Sequence, residues 1–152
     1  MADHQTKIPA IHGTCVVCQA QGILITGRSG SGKSQLALAL MSDAVRPCTL
    51  VADDGVLLQA KGTGLWASGP HALRGKIERY GMGIETHEFQ ESCRIALVVT
   101  LTPDDRMERM PEPDALVWTH LGISLPKLIL PEQPHNGASA IFATLKRNDS
   151  SR

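Results

Sequence analysis

Apolar and polar positions divide this chain into short strand-like runs with two helical stretches among them. Residues 14–20 and 22–26 are almost continuously apolar, which predicts two neighbouring strands joined around Gln21-Gly22. From 35 to 41 the period becomes helical, with Leu36, Ala37, Leu40 and Met41 on one face. Thr49–Ala52 predicts a further apolar strand that ends at Asp53-Asp54-Gly55, and residues 56–59 resume an extended pattern. Lys61-Gly62-Thr63-Gly64 predicts a hairpin turn, residues 65–67 its returning strand, and Ser68-Gly69-Pro70 a break. Aliphatic and β-branched residues over 95–101 predict a buried strand. The Pro- and charge-rich stretch 102–114 predicts a mobile loop or short helix. Residues 115–119 and 128–130 are short strand candidates separated by Gly122 and Pro126. Asn136 is placed to cap a last helix whose buried stripe is Ala138, Ile141, Phe142 and Leu145. Polar residues 1–7 and 146–152 are expected to fray. No internal repeat is visible, so the expected class is α/β with a mixed sheet and flanking helices, in a single domain spanning 1–152.

Composition narrows the possible partners. The chain has 152 residues, with 15 Lys and Arg against 15 Asp and Glu, so no global field favours nucleic acid. Aromatic residues make up 3% of the chain, too few for a base-stacking surface. No apolar run reaches the length of a membrane span, and residues 1–7 lack the apolar stretch of a signal peptide, so a cytoplasmic protein is expected. Cys15-x-x-Cys18 has the spacing of a redox pair but sits in an apolar strand with no second pair, which predicts buried reduced thiols. His4, His71, His87 and His120 have no ligand-like spacing.

The candidate chemistry begins at Gly27-Arg28-Ser29-Gly30-Ser31-Gly32-Lys33-Ser34, a G-x-x-x-x-G-K-S phosphate-binding loop between a predicted strand and a predicted helix. Glycines let the backbone curl until successive N–H groups point inward, and the helix start adds partial positive charge. Lys33 is placed to meet the outer phosphates of a nucleotide, and the Ser34 hydroxyl to ligate Mg²⁺. Asp53 and Asp54 follow an apolar strand downstream of the loop, where many such folds hold Mg²⁺ through a carboxylate. Adjacent acids can divide labour, one holding the metal while the other accepts a proton from an attacking hydroxyl. The loop alone does not separate kinases, GTPases, motors and switches; beside a protein kinase, the rival readings are a small-molecule kinase with 102–114 as its lid and a nucleotide-sensing module without chemistry.

The order His12-Gly13, then 27–34, then Leu50-Val51-Ala52-Asp53-Asp54 resembles the catalytic domain of HPr kinase/phosphorylase. The likeness continues in Glu78-Arg79-Tyr80-Gly81-Met82-Gly83-Ile84, similar to the family's Glu-Ile-Arg-Gly-Leu-Gly-Ile stretch, and in Leu125-Pro126-Lys127-Leu128-Ile129-Leu130-Pro131, similar to its Val-Pro-Lys segment. It covers roughly 11–136, without the family's usual N-terminal domain, and so is similar to the short form known from alphaproteobacteria. The resemblance implies a phosphate-loop fold of the phosphoenolpyruvate carboxykinase-like type, and ATP- and Mg²⁺-dependent phosphorylation of a serine of the phosphocarrier HPr. It also implies reversal by phosphorolysis in many members, and a hexamer or another homo-oligomer. Residue by residue, it assigns Lys33 to the β and γ phosphates, Ser34 and Glu78 to Mg²⁺, and His12 and Asp54 to the catalytic centre, with Asp54 as general base. Asp53 is a further candidate metal residue on the strand-end pattern. In two places the chain departs from the family. The family's Arg two places after the acid is Tyr80 here, with Arg79 one place earlier, a shift that on a strand changes the face. The family's Gly-Arg-Asn is Pro134-His135-Asn136, so one family arginine has no counterpart and phosphorolysis loses support.

Overall fold

A computed structural model describes residues 8–150. The expectation that 1–7 fray lies outside those residues. At the other end, residues 146–150 belong to helix α2 (Gly137–Ser150) rather than fraying. The reason is packing upstream: Ile141 and Leu145 are buried against the sheet, with Ala138 and Phe142 packed at the edge of the same cluster, and the helix continues beyond them. Asn136 precedes it with left-handed backbone (φ 57°), and its carbonyl accepts the Ala140 N–H at 3.2 Å.

The strands run β1 (Ala10–Ile11), β2 (Thr14–Cys18), β3 (Gln21–Thr26), β4 (Thr49–Ala52), β5 (Val56–Lys61), β6 (Gly64–Ser68), β7 (Lys76–Arg79), β8 (Gly83–Thr86), β9 (Ser92–Thr102), β10 (Val117–His120) and β11 (Ile123–Pro131). Helix α1 (Lys33–Met41) lies between β3 and β4. Nine strands form one mixed sheet in the order β1-β5-β6-β9-β3-β2-β4, with β11 joined to β9 and β10 to β11. Strand β9 is long enough to serve two neighbours in succession. Its start pairs antiparallel with β6 over 92–94, and its end pairs parallel with β11 over 98–102. The sheet thus forks along β9.

Alternation along β2 sends Val16 and Cys18 to one apolar cluster and Cys15 and Val17 to another, so both faces of the sheet are buried. On one face lie α1 and α2; on the other, Leu58, Leu65 and Ala67 of β5 and β6. Two register shifts reverse this alternation. Gly22 pairs with Ile95 and Ile23 with Leu97, so Ala96 bulges and Ile95 and Leu97 face opposite ways. Cys15 pairs with Ala52 and Val16 with Leu50, which places a bulge at Val51, two residues before Asp53.

Three sequence expectations change. The β2–β3 turn is Gln19-Ala20, both with positive φ (50° and 67°), the geometry that matches strand twist in two-residue hairpins. Gly22 lies inside β3, where a Cβ would meet the Arg94 carbonyl oxygen at 2.5 Å. Pro126 does not separate strands: it lies within β11 opposite Val117, where that strand passes from β10 to β9. The 95–101 strand is the centre of a longer β9. The stretch 102–114 contains a short 3₁₀ turn at Asp104–Arg106, and a second begins at Pro113–Leu116. The four cysteines are free and buried. Cys15 Sγ lies 3.6 Å from Cys93 Sγ, and this contact together with burial raises the Cys15 thiol well above the ordinary range. Among the described residues no helix is long and apolar enough to cross a membrane.

Leu97 is fully buried beneath α1 and α2, whereas Leu121 is exposed in the β10–β11 turn. Leu97→Ala should therefore cost about 2–5 kcal/mol in urea unfolding, and an alanine at 121 less than about 0.5 kcal/mol.

Candidate active site

The parallel strands β3, β9 and β11 end together, and the loop 27–34 leaves the end of β3 at that edge, where open α/β sheets form their binding crevices. Arg28 accepts the Ser31 N–H at 3.1 Å, and Gly30 and Gly32 take positive φ (81° and 103°), so the chain curls and enters α1 at Lys33. Among the described residues no side chain caps α1, its first turn holds no acid, and Lys33, Ser34 and Gln35 of that turn line the cavity, so the partial positive charge of the helix start is left for a ligand there. Lys33 Nζ donates to the carbonyls of Gly27 and Arg28, both at 2.9 Å, and so lies folded against its own loop. Ser31 Oγ is buried with no hydrogen-bond partner among the described residues.

Asp53 joins this loop to the rest of the site. Its Oδ1 accepts the hydroxyls of Thr14 and Ser34, each at 2.8 Å, and its Oδ2 accepts the Glu78 backbone N–H at 3.1 Å. The residue is 5% exposed, so these bonds take the place of water around the carboxylate. Asp54 differs in every respect: it is exposed, has left-handed backbone (φ 61°), and its side chain makes no hydrogen bond among the described residues. Ser34 Oγ and Asp53 Oδ1 form an adjacent pair of hard oxygen donors beside the loop. That donor set suits a hydrated Mg²⁺-like cation, which takes one or two protein oxygens and completes its shell with phosphate and water.

The loop is braced from the end of β11 by residues that no sequence motif marked. Arg28 donates to Glu132 through two bonds of 2.6 and 2.7 Å, which hold the Glu132 carboxyl below its ordinary range. The Gln133 N–H donates to the Ser31 carbonyl at 2.9 Å, and its side-chain amide to the Gly30 carbonyl at 2.8 Å. Gly32 is required here by its backbone, since φ 103° is a conformation that residues with a side chain rarely adopt, and a Cβ would also push the Gln133 side-chain amide away from its place beside the loop. The only advance sign of these residues was their position after an apolar strand. Thr14 was likewise missed, being one more member of a strand.

The hairpin β7–β8, absent from the sequence expectations as a pair of strands, forms the remaining wall. Ile77 is buried in the cluster beneath α1, Arg79 forms a bidentate pair with Glu85, and His87 Nε2 lies 2.9 Å from Glu85 Oε1. The Arg79 guanidinium first, and His87 second, hold Glu85 down at about 2. The expected exchange of faces at Tyr80 does not arise, because β7 ends at Arg79 and Tyr80 belongs to the turn.

These segments enclose a cavity of about 680 Å³, within the range of small-ligand sites. Its walls include Gly30, Lys33, Ser34, Asp53, Asp54 and Glu78. Ser29, Gly32, Gln35, Thr14, Tyr80 and Gln133 complete it. Of the residues marked in the sequence, Gly27, Arg28 and Ser31 support the loop from behind. His12 stands apart, exposed on the bend before Thr14 and outside the cavity wall, and His135 is also exposed and outside it.

A phosphate loop at the carboxyl edge of a mixed sheet, with a strand-end Asp pair across from its Lys-Ser, defines the class as a P-loop α/β phosphate-binding domain. Residues 4–151 match the HPr Serine kinase C-terminal domain, and the chain belongs to that family. It is 33% identical over 150 residues to HPr kinase/phosphorylase of Bordetella pertussis (strain Tohama I), covering 91% of this chain and 47% of the relative. It is 34% identical over 155 residues to HPr kinase/phosphorylase of Geobacillus kaustophilus (strain HTA426), with the same shares. The chain thus spans about half the length of the curated relatives it matches. Its fold is similar to the solved Hpr(Ser) kinase/phosphatase from Coxiella burnetii, with a TM-score of 0.75 and 28% identity over 93% of this chain and 90% of that one.

Two outcomes test this geometry. Because Arg79 stabilises the ionised form of Glu85, the pairing is present above the ordinary glutamate range and is lost as the pH falls toward 2. An NMR titration should place the Glu85 midpoint near 2 and show it rising toward the ordinary value in Arg79→Ala. Gln133→Ala removes one of the two bonds to the loop and should speed amide exchange at Gly30 to Gly32 by lowering the local opening energy about 0.5–1.5 kcal/mol.

Proposed function

We propose that this domain transfers the γ-phosphoryl group of ATP, with Mg²⁺, to a serine hydroxyl of the phosphocarrier HPr. The observation that carries this reading is the unequal state of two adjacent acids in one cavity. Asp53 is committed to three donors, whereas Asp54 is exposed, unpaired among the described residues, and lines the same cavity as Lys33. A carboxylate without competing donors is available to accept the proton of an attacking hydroxyl. In this reading the loop amides and the α1 N-terminus bind the phosphates, and Lys33 turns from the carbonyls of Gly27 and Arg28 onto the outer phosphate oxygens. Ser34 and Asp53, with Glu78 near them, would hold Mg²⁺, which supplies neutralising charge to those oxygens. The acceptor serine approaches with its hydroxyl directed at Asp54. As its oxygen bonds to phosphorus, the bond to the ADP oxygen breaks and Asp54 takes the proton. Membership of the family supports HPr as acceptor, in line with the names of the matched relatives. The matched relatives are named kinase/phosphorylase, which supports phosphorolysis as a second reaction of the same site, in which phosphate takes the phosphoryl group of serine-phosphorylated HPr to give pyrophosphate and the free serine.

Transfer of label from γ-labelled ATP to purified HPr tests the proposal. The wild type should label a serine, and Lys33→Ala and Asp54→Asn should each reduce the rate by about 10²-fold or more, with Asp54→Asn still binding ATP. ATP binding without labelled HPr would contradict the protein-kinase reading and leave a small-molecule kinase or nucleotide sensor in its place.

A further inference from the structure

Hairpin β7–β8 leaves three large side chains in water: Tyr80, Met82 and Ile84 are 83%, 76% and 72% exposed. Loose packing does not explain this, because the other side of the hairpin is anchored by buried Ile77, by the Arg79–Glu85 pair and by the Glu78 N–H on Asp53. Strand alternation sorts the residues. Ile77 and Glu85 are register partners on the anchored face, and Glu78 and Ile84 are partners on the outer one. Glu78 and Tyr80 also line the phosphate cavity. The apolar strip therefore starts at the rim where phosphoryl transfer would occur. On its other side Tyr80 borders a second hollow of about 320 Å³ that Arg79, Leu38 and Ala39 share, a recess able to seat one side chain.

We infer that Tyr80, Met82 and Ile84 form the docking platform for the protein that carries the acceptor serine, receiving an apolar face of that protein next to the serine. This inference rests on the kinase reading of the cavity. Position selects the occupant. Whatever covers Ile84 lies beside Glu78 and shares the cavity mouth, so a permanently seated second copy of this chain would obstruct the acceptor's approach. A small-molecule acceptor held between Lys33 and Asp54 would leave Met82 and Ile84 in water. A protein acceptor covers the platform only while its serine is in the cavity, which accounts for an apolar strip that stays exposed in the free enzyme. Anchoring of the reverse face makes the platform preformed, so little ordering cost falls on docking.

The test uses the double variants Met82→Ser/Ile84→Ser and Met82→Glu/Ile84→Glu, whose side chains lie outside the cavity wall and in water, so the fold and ATP site should persist. In steady-state transfer from ATP to HPr, the KM for HPr should rise about tenfold in the serine pair and further in the glutamate pair. The KM for ATP and the kcat at saturating HPr should stay within about twofold of wild type, since the variants remove docking and not chemistry. An unchanged KM for HPr overturns the inference while leaving the kinase reading intact. So does a fall from oligomer to monomer in sedimentation with that KM unchanged, which would make the strip an interface between copies. Absence of HPr labelling by the wild type overturns the kinase reading and this inference with it.

Discussion

The Asp53 carboxylate accepts hydrogen bonds from three segments far apart in the chain: the start of β2 at Thr14, the first turn of α1 at Ser34, and β7 at Glu78. Each bond to a charged acceptor contributes about 1.5–3 kcal/mol net, and removing one would leave part of a buried carboxylate without a donor. The arrangement is therefore cooperative. The helix that carries the phosphate loop, the strand end that carries Asp54 and the hairpin that carries Glu78 share one anchor. Without it, the hairpin would retain Ile77 packed beneath α1, its own Arg79–Glu85 pair and, just beyond β8, the Gln90 N–H on the Leu50 carbonyl at 2.8 Å, but among the described residues no hydrogen-bonded link would join Glu78 to Ser34.

The sheet supplies the rigid frame that makes such an anchor useful. Parallel pairing of β3, β9 and β11 brings three carboxyl ends to one edge, and each does a different job there. The first continues into the loop. The second lies beneath it, where the Leu101 carbonyl would meet a Cβ placed on Gly27 at 3.1 Å. The third turns back over it through Glu132 and Gln133, so that loop carbonyls not used by the helix are satisfied from outside. The Val51 bulge precedes the acid pair, and a left-handed backbone at Asp54 separates the two carboxylates: one turns inward to its donors, the other outward to the cavity.

Legibility in the sequence followed the range of the interactions. The loop 27–34, α1 and strands β2 to β6 could be read because apolar period and glycine spacing are local signals, and Thr49–Ala52 ended where predicted. The β7–β8 hairpin could not, since its apolar residues do not share one face: Ile84 is exposed on the outer face beside Glu78, while the inner face mixes buried Ile77 with the charged Arg79–Glu85 pair. The brace at Glu132 and Gln133 bridges more than a hundred positions in sequence, and no local pattern encodes that contact. Gln21-Gly22 drew the predicted turn because glycine usually marks one, but here it makes room for a neighbouring strand. His12 was marked through the resemblance alone, and the fold leaves it outside the cavity that gathers Lys33, Ser34, Asp53, Asp54 and Glu78.

The dependence of the site on Asp53 is most directly measured by amide hydrogen exchange in the wild type and Asp53→Ala, followed residue by residue. If the carboxylate is the shared anchor, the Glu78 amide loses its protection together with the first turn of α1, while the β3 and β9 amides at the centre of the sheet keep theirs. Unchanged protection at Glu78 would contradict the account, because the hairpin would then be held in place without the bond that ties it to the phosphate loop.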